Sequence, residues 1–265
     1  MQRANGQRDP RRFDGKVAVV TAGAAGIGKA SARLMAQEGA TVVLVDKDAG
    51  SLAASVAELA AESDRVLGLP CDALDENSVD QAVAEIQARF GRIDILVNGV
   101  GGSTVIANPN RLTENLSFAE WRQLIDFNLS ATFLFCHAVV PIMKSQRRGK
   151  IVNISSVAGR GVGTNSSAAY AAGKGGIIAF TKKLALETAP FGVTVNAIAP
   201  GMTISERMKD WWEQRSDAER QQFFRLIPLG RVFTVEEQAR VVCFLAAADS
   251  DIVTGQTIDT SGGQV

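Results

Sequence analysis

From Lys16 onward the chain alternates short β-branched apolar runs with segments of helical periodicity, and no other feature constrains its fold as tightly. KVAVVTA leads through a glycine turn into GKASARLMAQEG, and TVVLVD precedes a helical segment from about Ser51 to Glu62. RVLGLPCD precedes another, from about Glu76 to Phe90, closed by Gly91. IDILVN is followed by a long helix over about 118–144, and KIVNIS by one over about 167–189. VTVNAIA comes next, and a last helix over about 235–247 precedes QTIDT. Strands that are apolar at every position belong to sheets covered on both faces. Strands separated by helices of ten or more residues form right-handed βαβ units. The pattern predicts an α/β fold, a single doubly wound parallel sheet of about seven strands with helices on both faces.

No Pro-, Gly- or Ser-rich break divides the 265 residues, so 13–265 read as one domain behind a polar, flexible tail over 1–12. The stretch from Pro200 to Arg231 reads as irregular and too long for a plain connector, which predicts a substrate lid. With 28 basic and 28 acidic residues the chain lacks the charge excess of a nucleic-acid binder. No apolar run approaches the roughly 20 residues of a membrane span, and the first dozen residues lack the apolar stretch of a signal peptide. Cys71, Cys136 and Cys243 are scattered in apolar segments and read as buried thiols of a cytoplasmic protein. His137, the single histidine, supports neither a metal site nor a Ser/His/Asp triad.

The first strand ends in Thr21-Ala22-Gly23-Ala24-Ala25-Gly26-Ile27-Gly28 and runs into a helix. Small residues there allow a tight turn and close backbone approach, and a helix N-terminus offers free N–H groups to a pyrophosphate. Asp46 closes the second strand, where a carboxylate accepts hydrogen bonds from ribose hydroxyls and repels a 2′-phosphate. Lys47 beside it tolerates such a phosphate, so NAD(H) is preferred and NADP(H) remains open. Asp72 and Ala73 follow the third strand at the place of the adenine edge, and Asn98-Gly99-Val100-Gly101-Gly102 follows the fourth as a side-chain-poor wall. All of these lie at the carboxyl ends of the strands, where ligands of such sheets bind.

Tyr170, the only tyrosine, and Lys174 are four residues apart on one face of a helix. A phenol titrates near about 10, and a neighbouring ammonium lowers that value and makes the phenol a proton carrier. Ser155 and Ser156 end the fifth strand and offer a hydroxyl to a substrate oxygen. Asn128 lies inside a helix that it disfavours, which asks for a buried partner.

Taken together, TAGAAGIG, Asp46, CDA, NGVGG, Asn128, NISS, YAAGK and NAIAPGM resemble the short-chain dehydrogenase/reductase family over about residues 13–264. The resemblance implies a Rossmann-type fold and reversible hydride transfer between a nicotinamide and a secondary alcohol or ketone. It makes Tyr170 the acid/base, Lys174 its tuner and ribose ligand, Asn128 the anchor of a water relay, and Ser156, just before Val-Ala-Gly, the catalytic serine. Pro200 and Gly201 fall at the turn after the sixth strand, and Thr203 and Ser205 where the family meets the nicotinamide carboxamide. A homotetramer is implied as well.

Three positions depart from the family pattern. Ala22 stands where its first loop glycine is, with glycine displaced to Gly23. Gly99 and Val100 replace the second asparagine and the alanine of its Asn-Asn-Ala-Gly segment. Ser156 lies fourteen residues before Tyr170 rather than thirteen, an extra residue that the loop GRGVGTNSSA absorbs.

Met202, Trp211, Trp212, Phe223, Phe224 and Leu226 in the lid either line a pocket for a bulky or ring-bearing apolar substrate, of the cis-dihydrodiol or cyclic-alcohol type, or pack the lid or a subunit contact. Arg207, Lys209 and Arg215 read as a solvated face, with an acidic substrate as the alternative. Reduction of a 3-oxoacyl thioester, nucleotide binding without turnover, and a purely structural subunit are the competing readings.

Overall fold

A computed structural model describes residues 11–163 and 166–264. The expected flexible tail up to residue 10, and Thr164 and Asn165 of the loop expected to absorb the extra residue, lie outside them. Arg12, on the tail side of the expected boundary, is held in place: its guanidinium grips Glu38 at 2.5 and 2.8 Å and stacks over the buried Phe13.

The elements follow in the predicted order. They are β1 (Val17–Thr21), α1 (Gly26–Gln37), β2 (Thr41–Asp46), α2 (Ala49–Ala60), β3 (Val66–Pro70), α3 (Glu76–Phe90) and β4 (Ile95–Asn98). The second half continues with α4 (Phe118–Ile125), α5 (Ala131–Gln146), β5 (Gly149–Ile154), α6 (Ala168–Thr188), β6 (Val193–Pro200), β7 (Thr203–Ile204), α7 (Glu206–Glu213), α8 (Asp217–Arg225), β8 (Phe233–Thr234), α9 (Val235–Ala246) and β9 (Thr257–Thr260). Seven strands form one parallel sheet in the order β3-β2-β1-β4-β5-β6-β9. The order reverses between β1 and β4, which opens a crevice at the carboxyl ends of the strands.

Successive side chains of a strand point to opposite faces. Ala18, Val20, Val42, Leu44 and Ile198 therefore enter one core with α1, α2 and α9, while Val17, Val19, Val43, Leu96 and Val195 enter the other with α3, α5 and α6. Both faces of the central strands β1, β2 and β4 are buried, which is why their sequences are apolar almost throughout, whereas the edge strands β3 and β9 are partly exposed.

Two regions differ from expectation. The stretch 200–231 is not irregular: it carries α7 and α8, and β7 pairs with β8. The signal for α8 is present in the sequence, since Ser216 and Glu219 form a reciprocal capping box. The long helix is interrupted by a π-helical turn at Asp126–Ser130. There the Asn128 amide donates to Leu124 O at 2.9 Å and the Thr132 hydroxyl to Asn128 O at 3.1 Å. Widened turns of this kind are frequent at functional sites. Because α4, this turn and α5 run on without a break, residues 118–146 make a helix long and apolar enough, by length and composition, to cross a membrane. The sequence reads as one long helix over about 118–144, interrupted as an apolar run by Asp126 and Asn128. Leu124, Phe135, Val139 and Met143 are completely buried within the fold, so part of that apolarity serves its packing.

Candidate active site

The crevice holds a cavity of about 740 Å³ that runs from the N-terminus of α1 to the start of α6. Of the residues expected from sequence, Ala25, Gly26, Ile27, Gly28, Asp46, Lys47, Asp72, Ala73, Gly99, Val100, Ser156, Tyr170, Lys174, Pro200, Gly201, Thr203 and Ser205 line it. Gly23, Asn98 and Asn128 do not. Gly23 is buried against β2, its N–H on Val45 O at 3.2 Å. The Asn98 side chain points into the sheet, donating to Asn153 Oδ1 at 2.8 Å and to Cys136 Sγ at 3.3 Å. It braces β4 against β5 instead of walling a ligand, and its own Oδ1 is buried without a partner.

The glycine loop is built for close approach. A methyl on Gly28 would sit 2.6 Å from Ala22 O, and one on Gly99 would sit 2.5 Å from Thr21 O. Gly99 is therefore dictated by the turn beneath it, where Thr21 Oγ1 accepts its N–H at 3.0 Å. Gly23 would clash with Val20 O at 2.8 Å, so the loop needs glycine there for space. The left-handed position falls instead on Ala22, at φ 49°. An L-residue in that region costs roughly 1–2 kcal/mol, while glycine costs about 0.4–1 kcal/mol through unfolded-chain entropy. Ala22→Gly is thus expected to stabilise the protein by about 0.5–1 kcal/mol, read as a higher urea midpoint; an unchanged or lower midpoint would count against strain at this residue.

The residues fit a dinucleotide. Glu206 at the start of α7 places Oε2 3.0 Å from the Gly26 nitrogen, so this N–H of the loop donates to an anionic oxygen. The Asp46 carboxylate takes Ala24 N–H at 3.3 Å and Asp48 N–H at 3.2 Å, which orients it at the tip of β2. Asp72 Oδ1 accepts Leu74 N–H at 3.0 Å and shapes the turn after β3. Thr203 Oγ1 donates to Gly201 O at 3.0 Å and accepts from Gln238 Nε2 at 3.2 Å.

At the other end of the cavity, Ser167 caps α6 through the Tyr170 N–H at 3.3 Å and sets the register of Tyr170 and Lys174. The two serines divide their work. Ser155 is buried, with Oγ donating to Lys174 O at 2.7 Å. Ser156 faces the cavity, accepts Ala158 N–H on Oγ at 3.2 Å, and interacts with the Tyr170 hydroxyl. Lys174 is 3% exposed and donates from Nζ to Ile154 O at 2.8 Å. Asn128 is fully enclosed, accepting Gly102 N–H on Oδ1 at 3.0 Å and donating to Gly102 O at 3.1 Å. Gly101, at φ 151°, lies between these polar heads: a methyl there would be 2.5 Å from Lys174 Nζ and 2.7 Å from Asn128 Oδ1.

The electrostatics differ from the sequence expectation in one respect. Burial raises the Tyr170 phenol above its usual value, opposed by Ser156 and by the charge of Arg207, with no contribution from Lys174. Burial also pushes the Lys174 ammonium down to about 7, so it is only part-charged near neutrality. Sequence reasoning missed Ser103, Phe127, Glu206 and Met208 as lining residues; Arg207 is exposed, as its reading on a solvated face implies, and also lines the cavity. The lid residues Trp211, Trp212, Phe223 and Phe224 do not line the cavity. They stack on one another at 5.6–6.4 Å in a half-buried aromatic cluster.

The family model for short chain dehydrogenases matches residues 16–216. This chain belongs to the short-chain dehydrogenase family. It is 38% identical over 254 residues to the 3-oxoacyl-[acyl-carrier-protein] reductase FabG of Thermotoga maritima, covering 96% of this chain and 99% of that one. It is 37% identical over 255 residues to the 2-dehydro-3-deoxy-L-rhamnonate dehydrogenase (NAD(+)) of a Sphingomonas species, covering 96% of each. The crystal structure of levodione reductase superposes with a TM-score of 0.87 at 33% identity, covering 95% of this chain and 98% of that one. Like its family, the short-chain dehydrogenase described here is an oxidoreductase that uses a nicotinamide cofactor on alcohol or ketone groups.

Proposed function

We propose that Tyr170, Ser156 and Lys174 carry out reversible oxidation of a secondary alcohol, with NAD(H) preferred and NADP(H) accepted less well. The observation that carries this reading is the convergence of these three side chains on the same cavity as the glycine loop and Asp46. Bound at that loop, the cofactor supplies the hydride acceptor or donor. The chain supplies the proton chemistry. Ser156 Oγ accepts the Ala158 N–H, which leaves its O–H to hold the substrate oxygen. Tyr170 exchanges the hydroxyl proton at its phenolic oxygen. Lys174, oriented by Ile154 O, presents its remaining N–H donors to the ribose and to the proton path, and Asn128 holds the 101–102 loop that walls this end. A panel of secondary alcohols assayed with NAD and NADP separately tests the reading. NADH binding without turnover on any of them would favour the nucleotide-binding alternative.

The NAD preference is supported by the placement of Asp46 at the tip of β2, while Lys47 is exposed beside it. Asp46→Ser is expected to shift the NADP/NAD ratio of kcat/KM upward by at least about tenfold, the equivalent of about 1.4 kcal/mol of like-charge repulsion. The ratio is the readout, since loss of the Ala24 contact weakens both cofactors; an unchanged ratio would remove Asp46 from cofactor selection.

The substrate body is compact and apolar in this reading, facing Val100, Phe127, Met202 and Met208. A ring-bearing substrate loses the support expected from the lid aromatics, which are spent on each other. A 3-oxoacyl thioester is the second reading, supported by the FabG relative. The 200–231 segment acts as the lid of a single domain spanning 13–265. The free, buried cysteines are consistent with a reducing, cytoplasmic setting. Exposed Phe118, Phe133 and Leu186 on α4, α5 and α6 support homotetramer contacts on these helices, testable by light scattering.

A further inference from the structure

The basic residues of the lid have distinct environments. Lys209 lies 3.9 Å from Glu213. Arg215 pairs with Glu219 at 2.7 Å and stacks over Trp211 at 4.5 Å. Arg220 stacks over Trp212 at 5.6 Å and donates to its carbonyl oxygen. Arg207 has no such partner: among the described residues none forms a hydrogen bond or ion pair with its guanidinium. It lines the cavity instead. Its Nη2 comes within 3.7 Å of the place a Gly102 methyl would occupy, beside the Phe127 ring at 3.9 Å from the same point.

This location is the substrate end. Gly102 is the residue that Asn128 holds, and the charge of Arg207 reaches the Tyr170 hydroxyl. The carboxylates of the cavity are occupied elsewhere. Glu206, its chain neighbour, turns to the Gly26 N–H, the Asp46 oxygens take two backbone N–H groups, and Asp72 closes its own turn. A permanent positive charge with a planar array of donors thus borders the reacting position, over bare glycine backbone that leaves room for a ligand. A guanidinium in that setting selects a carboxylate, which it can bind with two parallel hydrogen bonds.

We propose that Arg207 is a specificity-determining residue that receives a carboxylate carried by the substrate within a few atoms of the reacting carbon, so that the enzyme acts on hydroxy acids and oxo acids in preference to neutral alcohols. The proposal rests on the catalytic reading above and names the substrate class of that site. A thioester, which is uncharged at the corresponding position, leaves Arg207 without a partner.

The test uses the whole enzyme with saturating NAD. The probes are racemic lactate, β-hydroxybutyrate and β-hydroxy-β-phenylpropionate, each beside its methyl ester. For at least one pair the parent enzyme is expected to favour the acid by about 30–100-fold in kcat/KM, the range of a charge-assisted contact. Arg207→Gln abolishes that preference, slowing the acid far more than the ester, which feels only the lost charge near Tyr170, and leaves the NADH Kd unchanged in a fluorescence titration; Arg207→Lys keeps part of the preference. Acid and ester turned over alike by the parent, or slowed alike by Arg207→Gln, overturns the assignment. So does weakened NADH binding, which places Arg207 on the cofactor phosphates. Normal NADH binding with no turnover of any probe, nor of simple secondary alcohols and ketones, overturns the catalytic reading itself and the assignment with it.

Discussion

Tyr170→Phe is expected to lower kcat by about 10²–10⁴-fold while the Kd for NADH stays within about twofold. The substitution removes one oxygen and keeps the ring, and the α6 cap from Ser167 reaches the backbone N–H of residue 170, which is unaffected. What is lost is the hydroxyl proposed to exchange a proton beside Ser156. Because Tyr170 is the only tyrosine, the phenolate absorbance of the parent protein reports this residue alone. Its midpoint is expected above that of free tyrosine, since burial outweighs the opposing help of Ser156 and Arg207. Retention of more than about a tenth of the parent's turnover would place the proton transfer elsewhere.

The second large effect is at Lys174, where activity and stability are expected to move in opposite directions. Lys174→Met keeps the length of the stem and removes the ammonium, and turnover should fall by about 10²-fold or more as the orienting charge and donors are lost. Stability should rise. The folded value near 7 lies below the ordinary lysine value of 10.5, so between these limits the unfolded chain binds more protons than the native one. The native state of the parent is therefore penalised in full below about pH 7, and the penalty fades as the pH climbs toward 10.5. The advantage of Lys174→Met over the parent should reach several kcal/mol at pH 6 and shrink steadily above pH 7. Urea midpoints across pH measure it. A pH-independent difference would mean that the buried lysine is charged, and balanced, in both states.

Much of this was legible in the sequence because it depends on local periodicity. The apolar runs marked the strands, α3 ended at Gly91 in its left-handed cap, and Ser156 was separable from Ser155 by the residues that follow it. The order of the glycine loop, Asp46, the Ser156 pair and the Tyr170/Lys174 pair was sufficient to name the family. The lid was misread as irregular because its two short helices are polar overall, although the Ser216/Glu219 capping box was in view. Asn98 was misplaced because a residue at a strand end has two faces to choose from, and here the inward one offered Asn153 and Cys136.

The sequence by itself determined the sheet, the crevice at its carboxyl edge and the residues that reach it, since strand and helix periods and turn chemistry are properties of neighbouring residues. Only the tertiary structure decided how those residues are charged and which of them face one another. Lys174 loses its full charge because α6, β5 and the 101–102 loop enclose it; Gly26 meets Glu206 across 180 positions; Arg207 borders Tyr170 while Lys209, Arg215 and Arg220 find partners. These outcomes depend on desolvation and on distances between segments remote in the chain, and a linear sequence records neither.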